Sequence, residues 1–135
     1  LEAGTMNVPG AAGLGAGLKI LEREEIRNIF NREHRQAKRC AEELKDMGLQ
    51  VFSGPHQAAT VSFQAREDCE SLAQYLGKQG IAVRAGLHCA PLAHESAGTI
   101  ERGTVRLSFG HTASERQRRA LISALDRRKN RWGKV

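Results

Sequence analysis

The sequence is poor in aromatic residues: four Phe, one Tyr and one Trp, 4% of the chain. Proteins that hold single-stranded nucleic acid stack bases on aromatic side chains, so this shortage weighs against such a role despite a net charge of +6. Long apolar runs are also missing. None approaches the roughly 20 residues that cross a bilayer. The N-terminus has neither the basic start nor the apolar segment of a secretory leader. It has no initiator Met either: the chain opens at Leu1 and soon enters a Gly-rich stretch, so a piece of a longer protein is expected. Cysteine is scarce, with only Cys40, Cys69 and Cys89. An odd number without C-x-x-C spacing argues against a disulfide framework and a zinc ribbon. Unpaired thiols fit a reducing, cytoplasmic setting. There is no internal repeat and no low-complexity segment.

What is present is an ordinary globular balance: 135 residues, 40% hydrophobic and 27% charged. One domain with its own core is expected. Positive charge gathers near the end, at Arg116, Arg118, Arg119, Arg127, Arg128, Lys129, Arg131 and Lys134. Such a tail could neutralise phosphates. The plainer reading, which we prefer, is a solvated helix face that complements the helix dipole.

Apolar spacing sets the expected elements. Residues 1–10 read as a lead-in loop. Leu14, Leu18 and Leu21, then Ile26, Ile29, Phe30, Ala37, Cys40, Ala41, Leu44 and Met47, recur at steps of three and four. A helical region over 11–47 follows, broken near Leu21–Arg23 and stopped at Gly48. Leu49, Val51 and Phe52 precede a Gly54-Pro55 turn, and Thr60-Val61-Ser62-Phe63 alternates as a strand does. Asp68 is placed to cap a helix carrying Cys69, Leu72, Ala73 and Leu76 and ending at Gly80. Ile81-Ala82-Val83 reads as a short strand, 86–103 as a loop, and 104–109 as another strand. Thr112-x-x-Glu115 has the pattern of a capping box before a last helix with Leu121, Ile122 and Leu125 inward. The fold expected is α+β: a small, mainly antiparallel sheet covered by helices on one face.

The loop from Arg84 through Gly86-Leu87-His88-Cys89-Ala90-Pro91 to His94 carries the chemistry. It sets a thiol among Arg84, His88 and His94, and neighbouring cations favour the reactive thiolate. Cys40 and Cys69 sit on apolar helical stripes and read as inert; Cys89 has no such face around it. A zinc site from His88, Cys89 and His94 has no familiar spacing, so no metal is expected. In the strand 104–109, Val105, Leu107 and Phe109 share one face and Arg106 takes the other. There it is either an ordinary exposed arginine or a two-pronged clamp for a carboxylate. Gly10, Gly13, Gly15 and Gly17 lack a P-loop ending and read as a close-packed helix start. Just before them, Glu2-Ala3-Gly4-Thr5-Met6-Asn7 offers a hydroxyl and free backbone amides that could hold a phosphate.

Together these pieces resemble the cysteine desulfurases of the class V aminotransferase superfamily. The resemblance rests on Glu2-Ala3-Gly4-Thr5-Met6-Asn7-Val8-Pro9-Gly10, on Gly80-Ile81-Ala82-Val83-Arg84-Ala85-Gly86-Leu87-His88-Cys89-Ala90-Pro91, and on Gly98-Thr99 with Gly103-Thr104-Val105-Arg106-Leu107-Ser108-Phe109-Gly110. It implies a pyridoxal 5'-phosphate enzyme that turns cysteine into alanine. Cys89 would then accept the sulfur as a persulfide and pass it to an acceptor such as an iron–sulfur assembly protein. It further implies that Arg106 binds the substrate carboxylate and that Arg84 and His88, close to the thiol loop, belong to the substrate-binding set. Thr5, with Gly4, would reach the cofactor phosphate, often across a homodimer interface. The family's Schiff-base lysine has no matching context here, since Lys19, Lys38, Lys45 and Lys78 fall on expected helices. Residues 1–21 are therefore expected to lead in from a missing large domain and 22–135 to form a C-terminal small domain, inactive alone. His111 stands where relatives often carry an aromatic residue. The alternatives are a stand-alone domain that binds a partner or carries sulfur on Cys89, and a related lyase or aminotransferase.

Overall fold

A computed structural model describes residues 4–54, 56–129 and 132. Glu2 and Ala3 of the first matching stretch, the turn residue Pro55, and Arg131 and Lys134 of the basic tail lie outside them. Nine elements follow in order: α1 (Val8–Glu24), α2 (Ile26–Asp46), β1 (Gln50–Phe52), β2 (Thr60–Gln64), α3 (Cys69–Lys78), β3 (Arg84–Gly86), α4 (Pro91–Ser96), β4 (Thr104–Ser108) and α5 (Glu115–Lys129).

The four strands form one sheet in the order β1-β2-β4-β3, each neighbour antiparallel. β4 enters between β2 and β3, so those two run parallel with α3 as their crossover. Alternation then divides the residues. Val61, Phe63, Val105 and Leu107 turn to one face, where they meet Cys40 and Leu44 of α2, Leu72 and Leu76 of α3, and Leu121 and Leu125 of α5. This is the expected α+β layer with helices on one face. The other face presents the alternate residues, including Ser62 and Arg106.

Several sequence signals act as read. Asp68 accepts a hydrogen bond from the Ser71 amide at 2.8 Å and starts α3. Gly48 and Gly80 adopt φ of +76° and +73° and end α2 and α3. Other expectations need correction. The break in the first helical region falls at Glu25, two residues past the expected window, with φ of +60°. The third strand is 84–86, not 81–83, because Arg84 rather than Ile81 lies in register with β4. The stretch 86–103 is not all loop: α4 starts at Pro91, whose missing amide suits a first helical turn. The box that opens α5 is Ser114 with Gln117, two residues beyond the Thr112/Glu115 pair. The Ser114 amide donates to Gln117 Oε1 at 2.8 Å and the Gln117 amide to Ser114 Oγ at 3.3 Å. The glycines of α1 are not tightly packed either. A Cβ on Gly13, Gly15 or Gly17 would touch nothing, and only at Gly10 does the Asn7 cap fill the space.

Much of the last helix's positive charge is matched internally. Arg118, 5% exposed, binds Glu43, Gln36 and Glu115. Arg119 pairs with Glu115 at 3.2 Å and Arg128 with Glu67 at 2.6 Å. Among the described residues, no helix is long and apolar enough to cross a membrane.

Candidate functional site: a thiol turn beside two arginines

The site is built at the β3–β4 end of the sheet. Arg84 and Arg106 are register partners on β3 and β4, and Ser62 is Arg106's partner on β2. Paired residues share a face, so two guanidiniums rise side by side from the face opposite the core. Like charges placed opposite each other destabilise a sheet unless something neutralises them. Yet among the described residues no carboxylate lies within ion-pair distance of either arginine. Arg106 is half-buried, and its Nε is shielded from solvent without a hydrogen-bond partner. Leaving such a donor unmet costs about 1–3 kcal/mol. The arrangement is a donor set suited to an anion.

The thiol follows directly from β3. The Ala90 amide donates to the Leu87 carbonyl at 2.9 Å, closing a four-residue turn. Its two central residues, His88 and Cys89, both have positive φ, +54° and +60°. Turns of this type usually place Asn or Gly there. For other side chains the left-handed region costs about 1–2 kcal/mol per residue. Cys89 is exposed at the tip, and Arg84 Nη2 donates to its sulfur at 3.8 Å.

His88 folds back onto the sheet. Its Nε2 meets Thr104 Oγ1 at 3.0 Å, while its Nδ1 is buried and unpartnered. Burial, and then the charges of Arg106, His94 and Arg84, push the imidazole below its usual range, against the Thr104 backbone, which raises it. The His94 ring lies 5.7 Å from that of His88 and pairs through Nδ1 with Thr99 Oγ1 at 2.8 Å. His94 therefore turns toward Thr99, and no cluster of three metal-ligand side chains forms among the described residues. At the base of the loop Gly103, φ +60°, lies against Gly86. A Cβ at Gly103 would lie 3.0 Å from the Gly86 Cα, so a side chain there would be both strained and crowded, and glycine suits the closure of the loop.

The structure thus brings together Arg84, His88, Cys89 and Arg106. It does not bring Gly4 and Thr5 to them. Those two are exposed just before α1, a helix of 17 residues and so about 25 Å long, which packs on α2 and buries none of its side chains. His111 sits elsewhere as well, accepting from Arg32 Nη2 at 3.0 Å and meeting Glu24 at 3.4 Å. Sequence reasoning passed over Thr104 and Thr99. Alternation did offer one signal, since Thr104 is two residues from Arg106 and shares its face. Two open clefts, of about 300 and 400 Å³, lie away from this site, beside α2 and at the start of α5.

An α+β layer with a strained, exposed thiol at a sheet edge defines a class of architecture, and comparison supplies the family. The chain belongs to the class-V aminotransferase family, whose model matches residues 1–121. A probable cysteine desulfurase of Xylella fastidiosa is 35% identical over 127 residues, 92% of this chain and 30% of that protein. Among solved structures, the apo cysteine desulfurase of Thermococcus onnurineus NA1 superposes with a TM-score of 0.88 at 31% identity, over 96% of this chain and 33% of that one. The S-sulfonic acid form of the cysteine desulfurase CsdA of Escherichia coli gives 0.84 at 31% identity, over 94% and 32%. This chain spans about a third of the length of these relatives. Membership of the family implies pyridoxal 5'-phosphate as cofactor.

Proposed function

We propose that this chain forms the thiol-bearing part of a pyridoxal-phosphate cysteine desulfurase. The observation that carries the reading is the pair Arg84 and Arg106, without a carboxylate partner, beside the exposed thiol of Cys89. In this reading Arg106 grips the substrate carboxylate with two parallel hydrogen bonds. Cys89 is the nucleophile that attacks the substrate sulfur. A bond forms between the two sulfurs and the substrate's bond from β-carbon to sulfur breaks. The released electron pair stays on that carbon, which takes a proton to become the methyl of alanine, and Cys89 is left as a persulfide. Arg84 stands where it offsets negative charge on sulfur, and His88, held neutral by burial and by cationic neighbours, helps line the carboxylate's side of the site.

The donors present fit part of the cofactor's needs. The Thr5 hydroxyl with the Gly4–Thr5 amides suits its phosphate, while the guanidiniums of Arg84 and Arg106 are taken by the substrate. No lysine lies in the thiol loop, so the residue that would hold the cofactor covalently is not supplied there. When bound, the cofactor serves as the electron sink for bond breaking next to the amino-acid carbon. In this reading the exposed Thr5 meets a cofactor phosphate across the interface of a homodimer. The exposure of α1 also supports reading residues 1–21 as a leading segment and 22–135 as the small domain. The exposed thiol suits hand-over to a sulfur-acceptor protein, and three unpaired cysteines suit the cytoplasm.

The test is a chimera in which this chain replaces the matching third of the Xylella fastidiosa relative, assayed with pyridoxal phosphate and cysteine. Alanine and sulfide should form, while the 135-residue chain alone should give neither. A chimera that binds cofactor yet makes no alanine, or sustained turnover by the chain alone, would overturn the proposal.

A further inference from the structure

Cys89 is held by its backbone, since a thiol has one rotatable bond, and that backbone sits where neither His88 nor Cys89 would settle unaided. Something must hold the turn closed. The loop base is fixed by the Gly86–Gly103 contact and by the Gly103 amide donating to the Thr99 carbonyl at 2.8 Å. Nearer the thiol, the fixed points are two Thr–His pairs: Thr104 with His88 at 3.0 Å and Thr99 with His94 at 2.8 Å, their rings 5.7 Å apart. Thr104 is 3% exposed and sits on the central strand β4. Among the described residues, its bond is the side-chain hydrogen bond by which a strand holds the residue next to Cys89.

We propose that Thr104 is a positioning residue for the thiol: its hydroxyl, acting through the His88 ring, keeps the 87–90 turn closed and so keeps the Cys89 sulfur beside Arg84. The inference rests on reading Cys89 as the reactive group, but it is tested without desulfurase activity. The Thr104 hydroxyl is bonded to the His88 ring and not to the sulfur. Its effect passes along one hydrogen bond, so a residue of equal size without the hydroxyl should lose it, and serine should keep it.

The experiment uses the 135-residue chain with Thr104→Val and Thr104→Ser. Three quantities are read: the rate of Cys89 alkylation by iodoacetamide at neutral pH, the ring nitrogen resonances of His88, and the thermal midpoint. Thr104→Val should move the His88 resonances and slow alkylation roughly fivefold, the equivalent of one hydrogen bond, while the midpoint shifts by only a few degrees. Thr104→Ser should alkylate at the wild-type rate. If Thr104→Val does not fold, His88→Asn carries the test. Asn tolerates the left-handed backbone but does not reach Thr104 as the ring does, and it should give the same slowing. Wild-type alkylation in the variant that loses the bond, or a serine variant as slow as valine, overturns the proposal. Such a result leaves Cys89 as sulfur acceptor untouched. Loss of that role would instead appear as desulfuration surviving Cys89→Ser in the chimera.

Discussion

Arg84 and Arg106 face each other across β3 and β4 with no carboxylate of the described residues to neutralise them. The other described arginines that are buried or half-buried meet an acid: Arg118 with Glu43, Arg128 with Glu67, Arg32 with Glu24. Arg106, beside the exposed thiol, does not. Such a pair is costly by itself and suits an anionic ligand.

Arg106→Lys in the chimera should therefore raise KM for cysteine roughly ten- to hundredfold, with a smaller change in kcat. Lysine keeps the charge and loses the planar fork. Steady-state kinetics check this, and an unchanged KM would remove Arg106 from the carboxylate site.

Alkylation should also sort the three thiols. Cys40 is fully buried, and burial together with Glu43 pushes it up to about 12, so it stays protonated. Cys69 is 6% exposed at the start of α3. Brief treatment of the native chain followed by peptide mapping should place the label on Cys89. Earlier labelling of Cys40 or Cys69 would contradict the geometry.

His88 should titrate below the usual imidazole value of about 6.5. Burial is the larger cause and Arg106 the next, so Arg106→Gln should raise the midpoint without bringing it all the way back. A lowered imidazole means that the unfolded chain binds the proton first. Stability from this residue is present above about pH 6.5 and is lost as pH falls from there through the folded midpoint. Proton NMR of the ring across pH 4–8 reads both midpoints. A midpoint that does not move in Arg106→Gln would disconnect the two residues.

Glu67 ties the end of α5 to the loop before α3, accepting from Arg128 at 2.6 and 2.9 Å and from Trp132 Nε1 at 2.6 Å. The Arg128 bonds hold its carboxyl below the usual range. A lowered carboxyl contributes stability that is complete above its unfolded value and lost as pH falls through the folded one. Glu67→Gln should therefore cost about 1–3 kcal/mol at neutral pH. The gap to wild type should narrow below about pH 4. Urea melts at pH 7 and pH 3.5 test this; an equal gap at both would rule it out.

What could be read from sequence divides along physical lines. Asp68, Gly48 and Gly80 act within a few residues of themselves, so their roles were visible in the pattern. Alternation put Val105 and Leu107 on the core side and Arg106 on the other, and left Cys89 as the thiol without an apolar face. The misplaced features depend on long-range register or on close competitors. Ile81-Ala82-Val83 has the better strand composition, but pairing with Arg106 fixes the strand at Arg84. Two hydroxyls near α5 compete for the cap, and Ser114 takes it. The Thr104–His88 bond spans 16 residues and exists only once the loop folds back. Thr5, which the resemblance brings to the site, is exposed just before α1 and makes no hydrogen bond with the thiol loop among the described residues.

The central claim is that Cys89 receives the sulfur, and intact-peptide mass spectrometry tests it most directly. The chimera is mixed with cysteine, quenched within one turnover and digested without reductant. The peptide holding Cys89 should gain the mass of one sulfur atom, with alanine formed in step, and Cys89→Ser should abolish both while cofactor absorbance persists. Sulfur found on another residue, or alanine formed at the wild-type rate by Cys89→Ser, would contradict the account.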